Sequence, residues 1–177
     1  MLTLMLLRHA KSSLATAGQA DLDRPLNDRG KRAAVAVGRY MASNGLVPQL
    51  VLCSPARRTR ETWDIAAAEL SATPKILVAD EIYDSADSKA LMDCLPHKAG
   101  TAQSILLVGH NPSIGELAQT LSGTGSGKLR ERLEKKYPTG AFAVFSFALG
   151  NWQSVASGSG TLLHFVRPRD LIEDNDD

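Results

Sequence analysis

A chain of 177 residues, 44% hydrophobic and 22% charged, with a formal net charge of +1, has the make-up of a globular domain able to bury a sizeable core. The charge balance argues against broad nucleic-acid binding, which goes with a strong basic excess, and no apolar stretch is long enough to cross a bilayer. The opening MLTLMLL has no basic segment before it and is not read as a signal peptide, and Cys53 and Cys94 make no disulfide framework, so a reduced cytoplasmic chain without membrane or nucleic-acid partners is expected.

Along the chain, apolar runs of strand length lie at 2–7, 49–53, 75–79, 104–109, 140–147 and 161–166. The first and fourth are nearly continuous Leu, Ile, Val and Met, as in strands buried on both faces. Helical patterns fall between them. One at 27–45 starts at an N-cap and stops at Asn-Gly; others cover 56–69, 87–95 (capped by Asp87 or Ser88) and 112–121, with Pro112 in its first turn. This alternation predicts a single α/β domain over residues 1–177, a three-layer sandwich with a mostly parallel central sheet. The last two apolar runs read as an antiparallel pair at one edge. The GTGSGK stretch at 123–128 reads as a flexible loop, since it lacks the spacing of a phosphate-binding P-loop and follows a helix instead of a strand. The acidic tail IEDNDD is expected to fray.

Three of these strands run into cationic or imidazole side chains. LMLLRHAKSS at 4–13 ends in Arg8, His9 and Lys11; LVLCSPARRTRETW at 50–63 continues into Ser54, Arg57 and Arg58; SILLVGHNPS at 104–113 delivers His110. Ligands of open α/β sheets bind beyond the carboxyl ends of strands, so these segments are expected to meet in one crevice. Arg8, Arg58 and His110 suit a tetrahedral dianion, because guanidinium groups bind phosphate in bidentate fashion. His9 among positive charges stays neutral and becomes a nucleophile when an acceptor, such as a backbone carbonyl, holds one ring nitrogen. The helix beginning near Pro55 adds backbone N–H donors. The chemistry read from this set is in-line phosphoryl transfer. His9 attacks phosphorus, a phosphohistidine forms, and water hydrolyses it while Arg8, Arg58 and His110 hold the equatorial oxygens. No metal or cofactor is called for.

Other residues take structural readings. Arg57 and Arg60 belong to a solvent face; Ser54 caps a helix in preference to donating to phosphate, and Asn111 shapes its turn in preference to touching a ligand. Lys11, Ser12 and Ser13 either line the pocket or begin the loop, Ser13 being the candidate phosphate ligand. His97 beside Pro96 is a loop residue at the surface, His164 a satisfied sheet histidine, and Cys53 a buried thiol.

LLRHAKS, then Leu26 to Gly30, then SPARRTRET, then VGHNP resemble in this order the histidine phosphatase superfamily, within it the short SixA-type phosphohistidine phosphatases. The resemblance runs from residue 4 to about 120 and implies a phosphoglycerate mutase-like fold. By this resemblance His9 is the phosphorylated nucleophile, Arg8 and Arg58 the phosphate arginines and His110 the second histidine, with Ala10 in place of the family glycine. It also puts the general acid after the third strand, at Glu81. The implied activity is metal-independent hydrolysis of protein phosphohistidine. The alternatives are a small phosphorylated metabolite as substrate of the same mechanism, or a phosphate-binding module without turnover.

Overall fold

A computed structural model describes residues 1–84 and 87–172. One sheet contains β1 (Leu2–Arg8), β2 (Leu50–Cys53), β3 (Lys75–Val78), β4 (Ser104–Gly109), β5 (Ser122–Gly125), β6 (Phe142–Phe147) and β7 (Gly160–Val166). Their order across the sheet is β3-β2-β4-β1-β6-β7-β5. The β3-β2-β4-β1 half is parallel throughout; β6 is antiparallel to β1 and β7, and β5 runs parallel to β7.

Alternate residues of the central strands face two cores. Leu2, Leu4 and Leu6 join Ile105 and Leu107 beneath α4 (Ser88–Lys98), α5 (Ser113–Leu121) and α6 (Gly127–Lys135). Met5, Leu7, Leu106 and Val108 face Val37 and Met41 of α1 (Asp28–Ser43) and Trp63 of α2 (Arg57–Ala67). Helices thus cover both faces, and the apolar continuity of β1 and β4 follows from that double burial. Short helices α3 (Asp80–Asp84) and α7 (Pro168–Leu171) complete the layers. Among the described residues, no helix is long and apolar enough to cross a membrane.

The spacing from Leu26 to Gly30 has a packing cause. The Asn27 side chain caps α1 by accepting from the Gly30 N–H at 2.8 Å. A β-carbon on Gly30 would lie 2.0 Å from the Lys11 carbonyl oxygen, so only glycine lets this helix start against the chain leaving β1. Leu26, Ala33 and Ala10 pack together there, which places a methyl comfortably at residue 10.

The glycine-rich stretch departs from expectation. Residues 122–125 form β5, and α6 starts at Gly127, so 123–128 is not a flexible loop. Gly123 approaches Gly158 so closely that a β-carbon would sit 1.8 Å from the Gly158 carbonyl oxygen, and Thr124 Oγ1 bonds Thr161 Oγ1 at 2.8 Å. The antiparallel pair β6-β7 therefore lies inside the edge, which β5 forms. His97 is exposed as expected, but it belongs to the last turn of α4, which runs through Pro96, and not to a loop. Of the tail expected to fray, residues 173–177 lie outside the described residues.

Candidate active site

Because β2, β4 and β1 are parallel neighbours, their carboxyl ends finish side by side. The His9 N–H donates to the Gly109 carbonyl at 3.0 Å and the Ser54 N–H to Val108 at 3.1 Å, which laces the three exits together. His9 and His110 come to rest with ring centroids 5.2 Å apart, and Arg58 Nη2 lies 3.4 Å from His110 Nδ1.

His9 is 8% exposed. Its Nδ1 lies 2.8 Å from the Ala10 carbonyl oxygen. A carbonyl only accepts, so Nδ1 carries the proton and Nε2 keeps a lone pair. Burial lowers the His9 pKa to about 3; the Ala10 bond opposes this, and the charges of His110, Arg58 and Arg8 add to it. His110 is brought down to about 4, chiefly by burial and then by Arg58. A guanidinium only donates, so His110 Nδ1 accepts from Arg58 and its Nε2–H donates to Ser54 Oγ at 2.8 Å.

This pairing corrects the reading of Ser54 as a helix cap. The N-cap of α2 is Ala56, with no side-chain bond, and Ser54 Oγ reaches the Ala56 N–H only at 3.4 Å. Ser54 instead orients His110.

Arg8 is half-buried, and burial lowers its pKa. Its Nη1 donates to the Tyr137 carbonyl at 2.9 Å, which also accepts from Asn111 Nδ2 at 2.9 Å. Asn111 Oδ1 accepts from the Gly115 N–H at 3.2 Å, so Asn111 fixes its turn as expected. Thr62 Oγ1 accepts from the Ala10 N–H at 3.0 Å and donates to the Arg58 carbonyl at 2.6 Å, tying the segment after β1 to α2.

Arg58 is 7% exposed and is engaged by a residue that no motif pointed to. Its Nη1 donates to the Asp21 carbonyl at 2.7 Å and its Nη2 to Asp21 Oδ2 at 2.9 Å. Tyr83 O–H donates to the same Oδ2 at 3.0 Å, and its ring stands edge-on to His110 at 5.5 Å. The available sequence signal was charge: Asp21 and Asp23 are the only acids among residues 1–27.

Glu81 in α3 forms an ion pair with Lys98 at 2.9 Å, and that partner lowers its pKa. The Ser13 N–H donates to Pro25, and its carbonyl accepts from Arg24 Nε at 3.1 Å; Ser12 Oγ accepts from Arg24 Nη2 at 2.9 Å. His164 Nδ1 pairs with Tyr40 O–H at 2.7 Å, a satisfied sheet histidine. Arg57 pairs with Glu61 and Arg60 is exposed, as a solvent face requires. Cys53 is a buried thiol whose pKa burial raises to about 12.

Comparison with known proteins places the chain by sequence and by fold. The sequence model of the histidine phosphatase superfamily (branch 1) matches residues 4–81. An uncharacterized protein of Mycobacterium tuberculosis is 34% identical over 166 residues, which span 92% of this chain and 100% of that one. A structure from Agrobacterium tumefaciens, assigned as a phosphohistidine phosphatase SixA, is 29% identical with a TM-score of 0.78, covering 94% of this chain and 98% of that chain. A Nakamurella multipartitia structure with the same assignment is 29% identical with a TM-score of 0.79, covering 95% and 96%.

Proposed function

The chain belongs to the histidine phosphatase superfamily, in its SixA-type branch, and on that premise we propose that it is a phosphatase working through a covalent phosphohistidine on His9, with protein phosphohistidine as substrate. The observation that carries this reading is the His9 ring, held neutral with its Nε2 lone pair unprotonated among Arg8, Arg58 and His110. Nε2 attacks phosphorus, an N–P bond forms to His9, and the substrate's own bond to phosphorus breaks. Water then attacks the phosphohistidine, His9 recovers its lone pair, and phosphate leaves. Arg8 and Arg58 take equatorial oxygens, and His110 shares its Nε2–H between Ser54 Oγ and the third, each donor contributing ~10²–10³ in rate by analogy with oxyanion-hole donors. These steps use no metal or cofactor.

The leaving group favours phosphohistidine over a phosphate ester. An ester oxygen needs a proton from an acid, and the candidate acid Glu81 has a lowered pKa beside Lys98. A departing imidazole arrives protonated or takes a proton from water. A phosphohistidine substrate is supported by likeness to two chains assigned as phosphohistidine phosphatases.

The test is transfer of label from phosphohistidine-bearing protein or phosphoramidate, with p-nitrophenyl phosphate as the competing ester. Acid-labile label is expected transiently on the wild type and absent from His9→Asn, with the N–P substrates preferred. Ester preference abolished in Glu81→Gln establishes a small-molecule phosphomonoesterase instead. Phosphate binding with no label on His9 leaves only a binding module.

A further inference from the structure

The bridge between Arg58, Asp21 and Tyr83 joins three segments that no motif connects. We infer that Asp21 is a positioning residue of this site, holding the Arg58 guanidinium against His110 so that its free N–H groups face the phosphoryl oxygens. Only the identity of what Arg58 receives rests on the phosphatase reading.

Four side-chain donors converge on Asp21. Its carbonyl and Oδ2 take Arg58 Nη1 and Nη2 at 2.7 and 2.9 Å. Tyr83 O–H donates to Oδ2 at 3.0 Å, and Arg24 Nη1 to Oδ1 at 2.9 Å. Both carboxylate oxygens are thus clamped. Arg24 is itself fixed, since its Nε and Nη2 donate to the backbone and hydroxyl of Ser13 and Ser12, which follow His9 in the chain. The segment that carries the nucleophile therefore also fixes the carboxylate that aims Arg58.

Two effects compete. A carboxylate near the anion site repels phosphate, but it also orders a guanidinium that is otherwise free to swing. Ordering is the larger. The Arg58 side chain is 8% exposed and that of Asp21 49%, so the repulsion acts through water while the hydrogen bonds to Arg58 are sheltered. Arg24 shares the Asp21 charge, so the trio Arg24, Arg58 and Asp21 stays net positive.

The experiment compares wild type, Asp21→Ala, Asp21→Asn and Asp23→Asn. It reads inorganic phosphate affinity by calorimetry, and kcat and KM on phosphoramidate, with melting temperature as the fold control. Asp21→Ala is expected to weaken phosphate binding and kcat/KM about tenfold, the scale of one partly screened charge-assisted hydrogen bond. Asp21→Asn keeps an acceptor oxygen for Arg58 and is expected to recover most of the loss, while Asp23→Asn matches wild type. Asp21→Ala binding phosphate as tightly as wild type, or tighter, overturns the inference. So does Asp21→Asn failing as badly as Asp21→Ala at an unchanged melting temperature. The affinity series stands without turnover, so a wild type that binds phosphate but hydrolyses nothing defeats the phosphatase reading and leaves this one to be judged on affinity.

Discussion

Acid should destabilise this protein earlier than its carboxylates can explain. Both site histidines are neutral when folded, at about 3 for His9 and about 4 for His110, whereas an unfolded histidine titrates at 6.5. A folded pKa below the unfolded one means the unfolded chain binds the extra protons. Stability is therefore complete above 6.5 and falls as the pH drops toward the folded values. From pH 7 to pH 5 each of these histidines costs about 2 kcal/mol, about 4 kcal/mol together. Carboxylates contribute little in this interval, since those of the unfolded chain titrate near ~4 and Asp21 is held at about 2 by its hydrogen bonds to Arg24, Arg58 and Tyr83 against burial, which pushes the other way. Urea unfolding at half-unit steps from pH 7 to 5, in phosphate-free buffer, measures the slope for wild type, His9→Asn and His110→Gln. Each variant should lose about 2 kcal/mol less than wild type over that range. The absolute stabilities of the variants do not matter, because the comparison is of slopes. A His9→Asn line as steep as wild type would mean that His9 accepts protons freely in the folded protein, and the neutral nucleophile would be lost with it.

Gly30→Ala pushes a methyl to 2.0 Å from the Lys11 carbonyl oxygen, a backbone atom that cannot swing away. It should cost about 3 kcal/mol, roughly 10 °C in melting temperature for a chain of this size. Gly127→Ala, which meets nothing within 4 Å, should melt like wild type. Ser54→Ala removes the acceptor of His110 Nε2–H, and kcat/KM on phosphoramidate should fall about tenfold while stability changes by ~1 kcal/mol; a change under about twofold would show that His110 needs no such hold.

The parts of the fold that were legible are those where burial writes a pattern. β1 and β4 announced themselves as unbroken apolar runs because helices cover both faces. The start of α1 was readable because the Asn27 cap bond is local. The parts that were missed depend on distant partners. β5 has no apolar residue in SGTG and is a strand only because glycines let it lie against β7 and Gly158. Ser54 sits where a cap would sit, yet its partner His110 is 56 residues away. Arg8, His9, Arg58 and His110 could be placed together because each ends or follows a strand, whereas Asp21 and Tyr83 lie in a single 3₁₀ turn and a short helix whose meeting is long-range.

That division runs through the site itself. The two imidazoles and Arg8 are mounted at the ends of parallel strands, and their relative placement is set by sheet register. The aim of Arg58 is finished by Asp21, and one side of His110 by Tyr83, both from segments outside the sheet. Exchanging the 14–25 segment for one without an acid at position 21 should therefore weaken phosphate binding as Asp21→Ala does, with the strand-end imidazoles still in register, whereas His9→Asn should abolish label transfer outright.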